Sequence, residues 1–238
     1  MHRLLTLVLI SCAILLGVAR AAWSADPAPS GPPDTMEQRM LACAACHGTH
    51  GEGLRSSEYY PRIAGKPAAY LYSQLVSFRE GRRKYPQMVY LVRHQSDAYL
   101  REIAEYYARQ QPAFPPPAPA ATKEAMALGA SLVRRGDKRR GIPACIACHG
   151  ADLAGMQPGI PGIVGLYPDY VNTQLGAWQR GLRRATEPDC MAQVVAKLNG
   201  TEIAAISAWL AAQPASPKAA PAPEARQKLP LACGTEPQ

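Results

Sequence analysis

Aromatic residues are scarce in this 238-residue chain, which has two Phe and three Trp, and only 18% of its residues are charged. So few large side chains leave a small domain short of core, and such domains usually need support from outside their own apolar residues. No stretch alternates apolar and polar residues convincingly, which argues against a sheet. Beyond the N-terminal run Leu4 to Ala19, no segment is long and apolar enough to span a bilayer. Short basic clusters occur at Arg82-Arg83-Lys84, Arg134-Arg135, Lys138-Arg139-Arg140 and Arg183-Arg184, without interleaved aromatics. That pattern excludes a nucleic-acid platform and reads as solvated faces.

The formal net charge of +8 falls to +6 once a leader holding Arg3 and Arg20 is removed. The excess fits an acidic partner surface. Arg3, the apolar run and the small residues of Ala19-Arg20-Ala21 form a cleavable signal peptide over residues 1–21, with cleavage after Ala21. A periplasmic location is therefore expected, with a membrane-anchored form as the alternative. Three Ala/Pro-rich stretches, residues 24–33, 112–121 and 214–223, have the composition of extended, poorly packed linkers. The expected organisation is a disordered segment at 22–33, a first domain at 34–111, a linker at 112–121, a second domain at 122–213 and a tail at 214–238.

The two domains repeat each other. Cys43-Ala44-Ala45-Cys46-His47-Gly48 matches Cys145-Ile146-Ala147-Cys148-His149-Gly150 at an offset of 102. Pro61, Ile63, Gly65, Tyr70, Gln74, Leu75, Gly81 and Arg83 recur 100 residues later, and Met88, Ile103, Tyr106 and Gln110 find counterparts at an offset of 103. Offsets that shift only by small insertions are the mark of a duplicated domain. Each half reads as helical. Asp34 and Glu37 suggest a capping box for a helix entering the first motif, Pro67 starts a helix ending near Gly81, and Ser96 caps a last helix. Residues 122–135, 168–181 and 201–213 repeat that series. The fold class expected is all-α, two tandem domains.

Cys-x-x-Cys-His is the requirement for covalent haem attachment: two thiols one helical turn apart add to two vinyl groups, and the adjoining His lies under the iron. Cys43, Cys46, Cys145 and Cys148 would carry two haem c groups, with His47 and His149 as axial ligands. A buried porphyrin would also supply the missing apolar volume. Zinc would need the two cysteine pairs to converge, which a separation of 102 residues disfavours. A redox dithiol would want a strand before the motif, and neither rival explains the histidine.

The sixth ligand decides what each iron can do, since a closed His/Met iron passes electrons and an open one reacts. Met88 lies 41 residues after His47 and Met191 lies 42 after His149, both expected in loops before the last helix of their half. No other methionines match in register. The rivals are His94 in the first half and Met156 or Cys190 in the second; His50 is too close to His47 to cross the haem. Pro61 and Pro161 could each offer a backbone carbonyl to the free ring nitrogen of the proximal histidine, or serve as rigid turns. Cys190 and Cys233 remain. In an oxidising compartment they are most simply a disulfide, with a Cys190 thiolate on the second iron as the sharper alternative.

Together these residues resemble the cytochrome c4 family of di-haem cytochromes over about residues 34–111 and 122–213. The resemblance rests on the two Cys-x-x-Cys-His-Gly motifs, Pro-Arg-Ile-Ala-Gly with Pro-Gly-Ile-Val-Gly, the Tyr-x-x-x-Gln-Leu helices, and Gly141-Ile142-Pro143-Ala144-Cys145. It implies His47 with Met88 on one iron and His149 with Met191 on the other. It also implies two cytochrome c folds with their haem propionates facing each other, carrying single electrons from a respiratory donor towards a terminal oxidase. No substrate site is required, and the partners are redox proteins: a membrane-bound oxidase or a dehydrogenase. Two further readings stand beside it, the cytochrome subunit of a periplasmic dehydrogenase and a di-haem enzyme with an open or Cys-ligated iron. Cys190, Cys233 and the Pro-rich linker are departures from the family pattern.

Overall fold

A computed structural model describes residues 34–55, 57–216, 219–223 and 228–234. The expected signal peptide and the segment 22–33 lie outside the described residues. The chain divides into two compact units, residues 1–38 and 39–238. The described part of the first unit begins α1 (Met36–Arg39), where the Thr35 hydroxyl accepts the Gln38 N–H at 3.3 Å. The cap thus falls one residue later than the Asp34 box expected, because Thr35 stands three residues before the amide it satisfies.

In the second unit the first half contributes α2 (Leu41–His47), α3 (Ala68–Arg79), α4 (Pro86–Val92) and α5 (Asp97–Arg109). Pro67 precedes α3 with its fixed φ, and the Ser96 hydroxyl caps α5 by accepting from Tyr99. α3 packs on α5, burying Leu71 and Phe78 with Leu100, Ile103 and Tyr107. The second half contributes α6 (Lys123–Arg135), a 3-10 turn (Lys138–Arg140), α7 (Ile146–His149), α8 (Pro168–Gln179), α9 (Cys190–Val195) and α10 (Gly200–Ala211). Thr122 caps α6, and Asn199 with Glu202 forms a reciprocal capping box on α10. α10 packs on both α6 and α8. At the α6–α10 crossing Gly129 is obligatory, since a Cβ there would stand 2.3 Å from the Ala205 carbonyl oxygen.

The fold is all-α as expected, apart from a two-residue ladder, β1 (Gly155–Met156) antiparallel to β2 (Ile160–Pro161), which is too short to leave an alternating pattern. Two expectations need correction. Met88 and Met191 lie in the short helices α4 and α9 rather than in loops. Pro86 at the first turn pre-sets α4, and the Asp189 carboxylate caps α9 by accepting from Ala192 at 3.0 Å. Residues 112–121 are extended but not poorly packed. The Arg62 guanidinium donates to the Pro112 and Ala113 carbonyls at 2.6 and 3.0 Å and lies 4.1 Å over the Phe114 ring, and Ala118 N–H donates to Ala211. The tail is likewise engaged: Gln157 donates to Ala222, Ala222 donates to Gly155, and Gly234 donates to Pro188.

Candidate haem sites

Each motif histidine ends a helical turn and is buried, with 8% of its surface exposed in both cases. Gly48 and Gly150 follow at φ +82 and +85, turning the chain away from the ring. His47 Nδ1 donates to the Pro61 carbonyl at 2.9 Å, and His149 Nδ1 donates to the Pro161 carbonyl at 2.8 Å. The bond fixes the tautomer and leaves the Nε2 lone pair for a metal. Burial lowers the pKa of both rings, against the opposing pull of the proline carbonyl, and so keeps them neutral as a ligand must be.

The proline carbonyls are themselves held. Ile63 and Ala64 N–H donate to the Gly51 carbonyl, and Ile163 and Val164 N–H donate to the Leu153 carbonyl in the second half. Gly51 has φ +77 and Leu153 φ +56, so a leucine adopts in one half the left-handed backbone that glycine adopts in the other. Gly53 and Gly155 let the two strands of each loop touch. A Cβ on Gly53 would lie 2.7 Å from the Pro61 carbonyl carbon, and one on Gly155 would lie 2.8 Å from that of Pro161. Sequence reasoning missed this pair, although the two glycines recur at the offset of 102.

In the first half Cys43, Cys46, His47 and Met88 line one cavity of about 410 Å³, walled by Leu71, Phe78, Val92 and Ile103. In the second half Cys145, Ile146 and Met191 pack against the core formed by Val133, Val195, Trp209 and their neighbours. The four motif cysteines form no disulfide. Burial raises the Cys43 and Cys148 thiols and pushes Cys145 up to about 11. His50 and His94 are exposed, while Met156 is tied into β1. Cys190 is bonded to Cys233 across 43 residues, which removes it as a thiolate ligand. Asp189, one residue before it, also accepts from Ala185 N–H and Trp178 Nε1, anchoring the segment that presents Met191. Among the described residues no three or more His, Cys, Asp or Glu side chains converge as a metal cluster.

Between the halves the rim of the first cavity is cationic. Arg62, Lys66, Arg83 and Arg183 all line it, and among the described residues none of them forms an ion pair with a carboxylate. Arg62 and Arg183 are buried and Lys66 and Arg83 half-buried, and cations so placed without a paired carboxylate suit a group that brings its own carboxylates, as haem does with its propionates. The donor set, the apolar walls and this rim all fit haem.

No protein-family model matches the chain. It is 36% identical to the thiosulfate dehydrogenase electron acceptor of Thiomonas intermedia, over 85% of this chain and 88% of that one. It is 31% identical to cytochrome c4 of Pseudomonas aeruginosa, over 85% and 96%. Among solved structures, reduced cytochrome c4 from Pseudomonas stutzeri superposes with a TM-score of 0.65 at 28% identity, covering 77% of this chain and 99% of that one. The thiosulfate dehydrogenase TsdBA from Marichromatium purpuratum superposes with a TM-score of 0.66 at 32% identity, covering 72% of this chain and 36% of that chain. Fold and site thus define a di-haem c-type cytochrome, an electron-transfer protein with two covalently bound haem c groups. More narrowly, the chain belongs to the cytochrome c4 family. Redox proteins are its partners. No described helix is long and apolar enough to cross a membrane.

Proposed function

We propose that this chain is a periplasmic carrier that takes single electrons from a dehydrogenase and delivers them to a terminal oxidase or another acceptor. Residues 1–21 would be its cleaved leader, and residues 34–111 and 122–213 its two haem domains. Cys43 and Cys46 would hold the first haem and Cys145 and Cys148 the second, with His47 and Met88, and His149 and Met191, as the axial pairs. The observation that carries this reading is the repeated pair of buried histidines, each with Nδ1 committed to a proline carbonyl and Nε2 left free. When bound, haem supplies a one-electron iron couple. The chain's part would be to hold each imidazole neutral and oriented, to keep water from the first haem with Leu71, Phe78 and Ile103, and to supply Met88 and Met191 as the second ligands.

The relatives make thiosulfate dehydrogenase the first donor to test, either as a transient partner or as the enzyme whose cytochrome subunit this chain is. Haem and protein quantitation should return two haems per chain. Oxidised spectra should show a weak sulfur-to-iron charge-transfer band at the red end, which Met88→His and Met191→His each reduce by half. Stopped-flow reduction by a thiosulfate dehydrogenase should be fast and should slow as salt rises. A band of half amplitude in the unsubstituted protein would refute methionine ligation at one iron. Carbon monoxide binding without denaturant would favour an enzyme instead.

A further inference from the structure

Exposed apolar surface is shared unevenly between the halves. Among the described residues, the large apolar side chains left exposed are Leu41, Leu54, Tyr59, Tyr90 and Leu91 in the first half and Leu182 in the second. Leu41 opens α2 two residues before Cys43, and Tyr90 and Leu91 follow Met88 on α4. Met40, Ala42, Met88 and Leu91 line the first haem cavity, so exposed apolar side chains flank it on two helices. Leu41, 62% exposed, and Tyr90, 66% exposed, are not part of that lining, and a group filling the cavity leaves them uncovered. The second half does not repeat this. Pro143 and Val194, the counterparts of Leu41 and Leu91, are half-buried, and Gln193 replaces Tyr90. The Cys190–Cys233 disulfide also fastens the tail beside α9, the counterpart of α4.

Charge follows the same division. Residues 81–96 hold Arg82, Arg83, Lys84 and Arg93 and no acidic residue, whereas the matching stretch 181–199 holds Glu187 and Asp189. Arg82 pairs with Glu80, and Arg83 reaches into the second half. Lys84 and Arg93 are exposed and, among the described residues, make no ion pair. The carboxylates of Asp97 and Glu102 on α5 are already paired with Arg79 and Arg39. The Arg93 guanidinium lies 4.6 Å over the Tyr90 ring, which sets a cation on the exposed aromatic.

We propose that this face of the first half, built on Leu41, Tyr90 and Leu91 and bordered by Lys84 and Arg93, is where the donor dehydrogenase docks, through an apolar patch ringed by carboxylates on its own surface. The inference rests on the donor reading above and on the assignment of the first haem to Cys43, Cys46, His47 and Met88. Single exposed apolar residues are ordinary on any surface. Here they gather beside one of two equivalent sites, with a cationic border and no free carboxylate in the segment. An apolar centre that excludes water, inside a charged rim that steers encounter, is the anatomy of a transient contact. Docking there puts the first haem, and not the second, next to the partner.

The test uses the holoprotein and a purified thiosulfate dehydrogenase at low salt. Carbodiimide coupling joins a lysine amine to a carboxylate, with the carbodiimide taking up the water released. Mass spectrometry should find the resulting amides at Lys84 and not at Lys138 or Lys197 of the second half. Reduction by the enzyme and thiosulfate should slow about tenfold in Tyr90→Ser and in Arg93→Glu. Lys197→Glu should change that rate by less than about twofold. Reduction by dithionite and the count of two haems should match the parent in all three variants. The inference is overturned if the cross-links fall on the second half, if Tyr90→Ser and Arg93→Glu react at the parent rate, or if Lys197→Glu slows the reaction as much as Arg93→Glu. A parent that sediments as a dimer, and that Tyr90→Ser converts to a monomer, gives the face to a second copy and overturns it too. In each of these cases a parent that the enzyme still reduces fast keeps its donor reading. A parent that the enzyme neither reduces nor cross-links loses that reading and the inference with it.

Discussion

Arg83 and Arg183, equivalent positions of the duplicated sequence, meet as an antiparallel backbone bridge at the junction of the two halves. Lys84 N–H donates to Leu182 and Arg184 N–H to Arg82, so one segment used twice forms both sides of the contact. Each guanidinium then crosses over. Arg83 donates to Tyr170 at 3.0 Å and Gln174 at 2.6 Å, and Arg183 donates to Tyr70 at 3.1 Å and Gln74 at 3.0 Å. Phe78 lies under Arg83 and Trp178 under Arg183 within their own halves. The local two-fold arrangement is self-complementary in the manner of an isologous dimer contact. It fixes the halves in a set relation, which transfer between two irons requires.

The clasp should be measurable as a coupling. Arg183 is buried, and hydrogen bonds from a charged donor contribute about 1.5–3 kcal/mol. Arg183→Met should lower the unfolding free energy of the holoprotein by about 2 kcal/mol in urea titrations, and Tyr70→Phe by about 1 kcal/mol. The double variant should fall short of additivity by roughly 0.5–1 kcal/mol. Simple additivity would mean that this bond does not hold the halves together.

Gly53 combines φ +83 with a loop that approaches within 2.5 Å of where its Cβ would be, at the Arg62 nitrogen. Gly53→Ala must therefore push away the segment carrying Pro61, and with it the carbonyl that orients His47. A loss of about 2 kcal/mol or more in stability is expected, from backbone strain and displaced packing. The charge-transfer band should weaken for one iron of the two. An alanine variant with full band intensity and unchanged stability would show that the loop yields without moving the proline.

Much of this was legible because the repeat printed it twice. The Cys-x-x-Cys-His motifs, the helix starts at Pro67, Ser96 and Thr122, and the matched methionines all follow from local chemistry that recurs. Whatever depends on the halves meeting was not legible. Nothing near Arg83 in the sequence names Tyr170, and nothing near Lys66 names Gly162, whose carbonyl accepts from it, because side chains that cross between repeats obey the packing of the halves and not a spacing. The short helices around Met88 and Met191 were hidden for another reason. Six or seven residues carry too little periodicity, and only Pro86 and Asp189 mark their starts. The leucine at position 153 hid a third feature, since its left-handed backbone is a glycine conformation in the other half.

Acid should loosen the second half through Glu202. Its carboxylate accepts from Arg140 at 2.5 Å and from Asn199 N–H at 2.9 Å, and the Arg140 contact first, with the Asn199 amide adding to it, holds its pKa below the ordinary 4.5. A depressed carboxylate contributes stability that is fully present above the unfolded pKa and is lost as pH falls through the folded one. Melting temperatures taken downward from neutral pH should therefore drop once pH passes below about 4.5. Glu202→Gln, which can still complete the capping box, should melt lower at neutral pH and show a shallower acid decline. Parallel acid limbs in the two proteins would remove Glu202 as a contributor.

The Cys190–Cys233 disulfide closes a loop of 43 residues and pins the tail beside the helix that presents Met191. Loop-closure entropy for that length is about 4 kcal/mol, an upper value that native strain reduces. Cys190→Ser and Cys233→Ser should each destabilise the holoprotein by about 2–4 kcal/mol. The two variants separate a structural role from a ligand role. In Cys233→Ser the Cys190 thiol is set free next to Met191; in Cys190→Ser it is gone. If the bond serves only to hold the tail, both variants keep the full charge-transfer band at room temperature. Both then lose half of it at the same lowered temperature, as the Met191 segment frays before the rest. If the freed thiol could reach the iron, Cys233→Ser alone would lose half the band at once, because thiolate would replace methionine there. The buried position of Cys233 and the capping of α9 by Asp189 favour the first outcome, since both hold the segment in place independently of the iron.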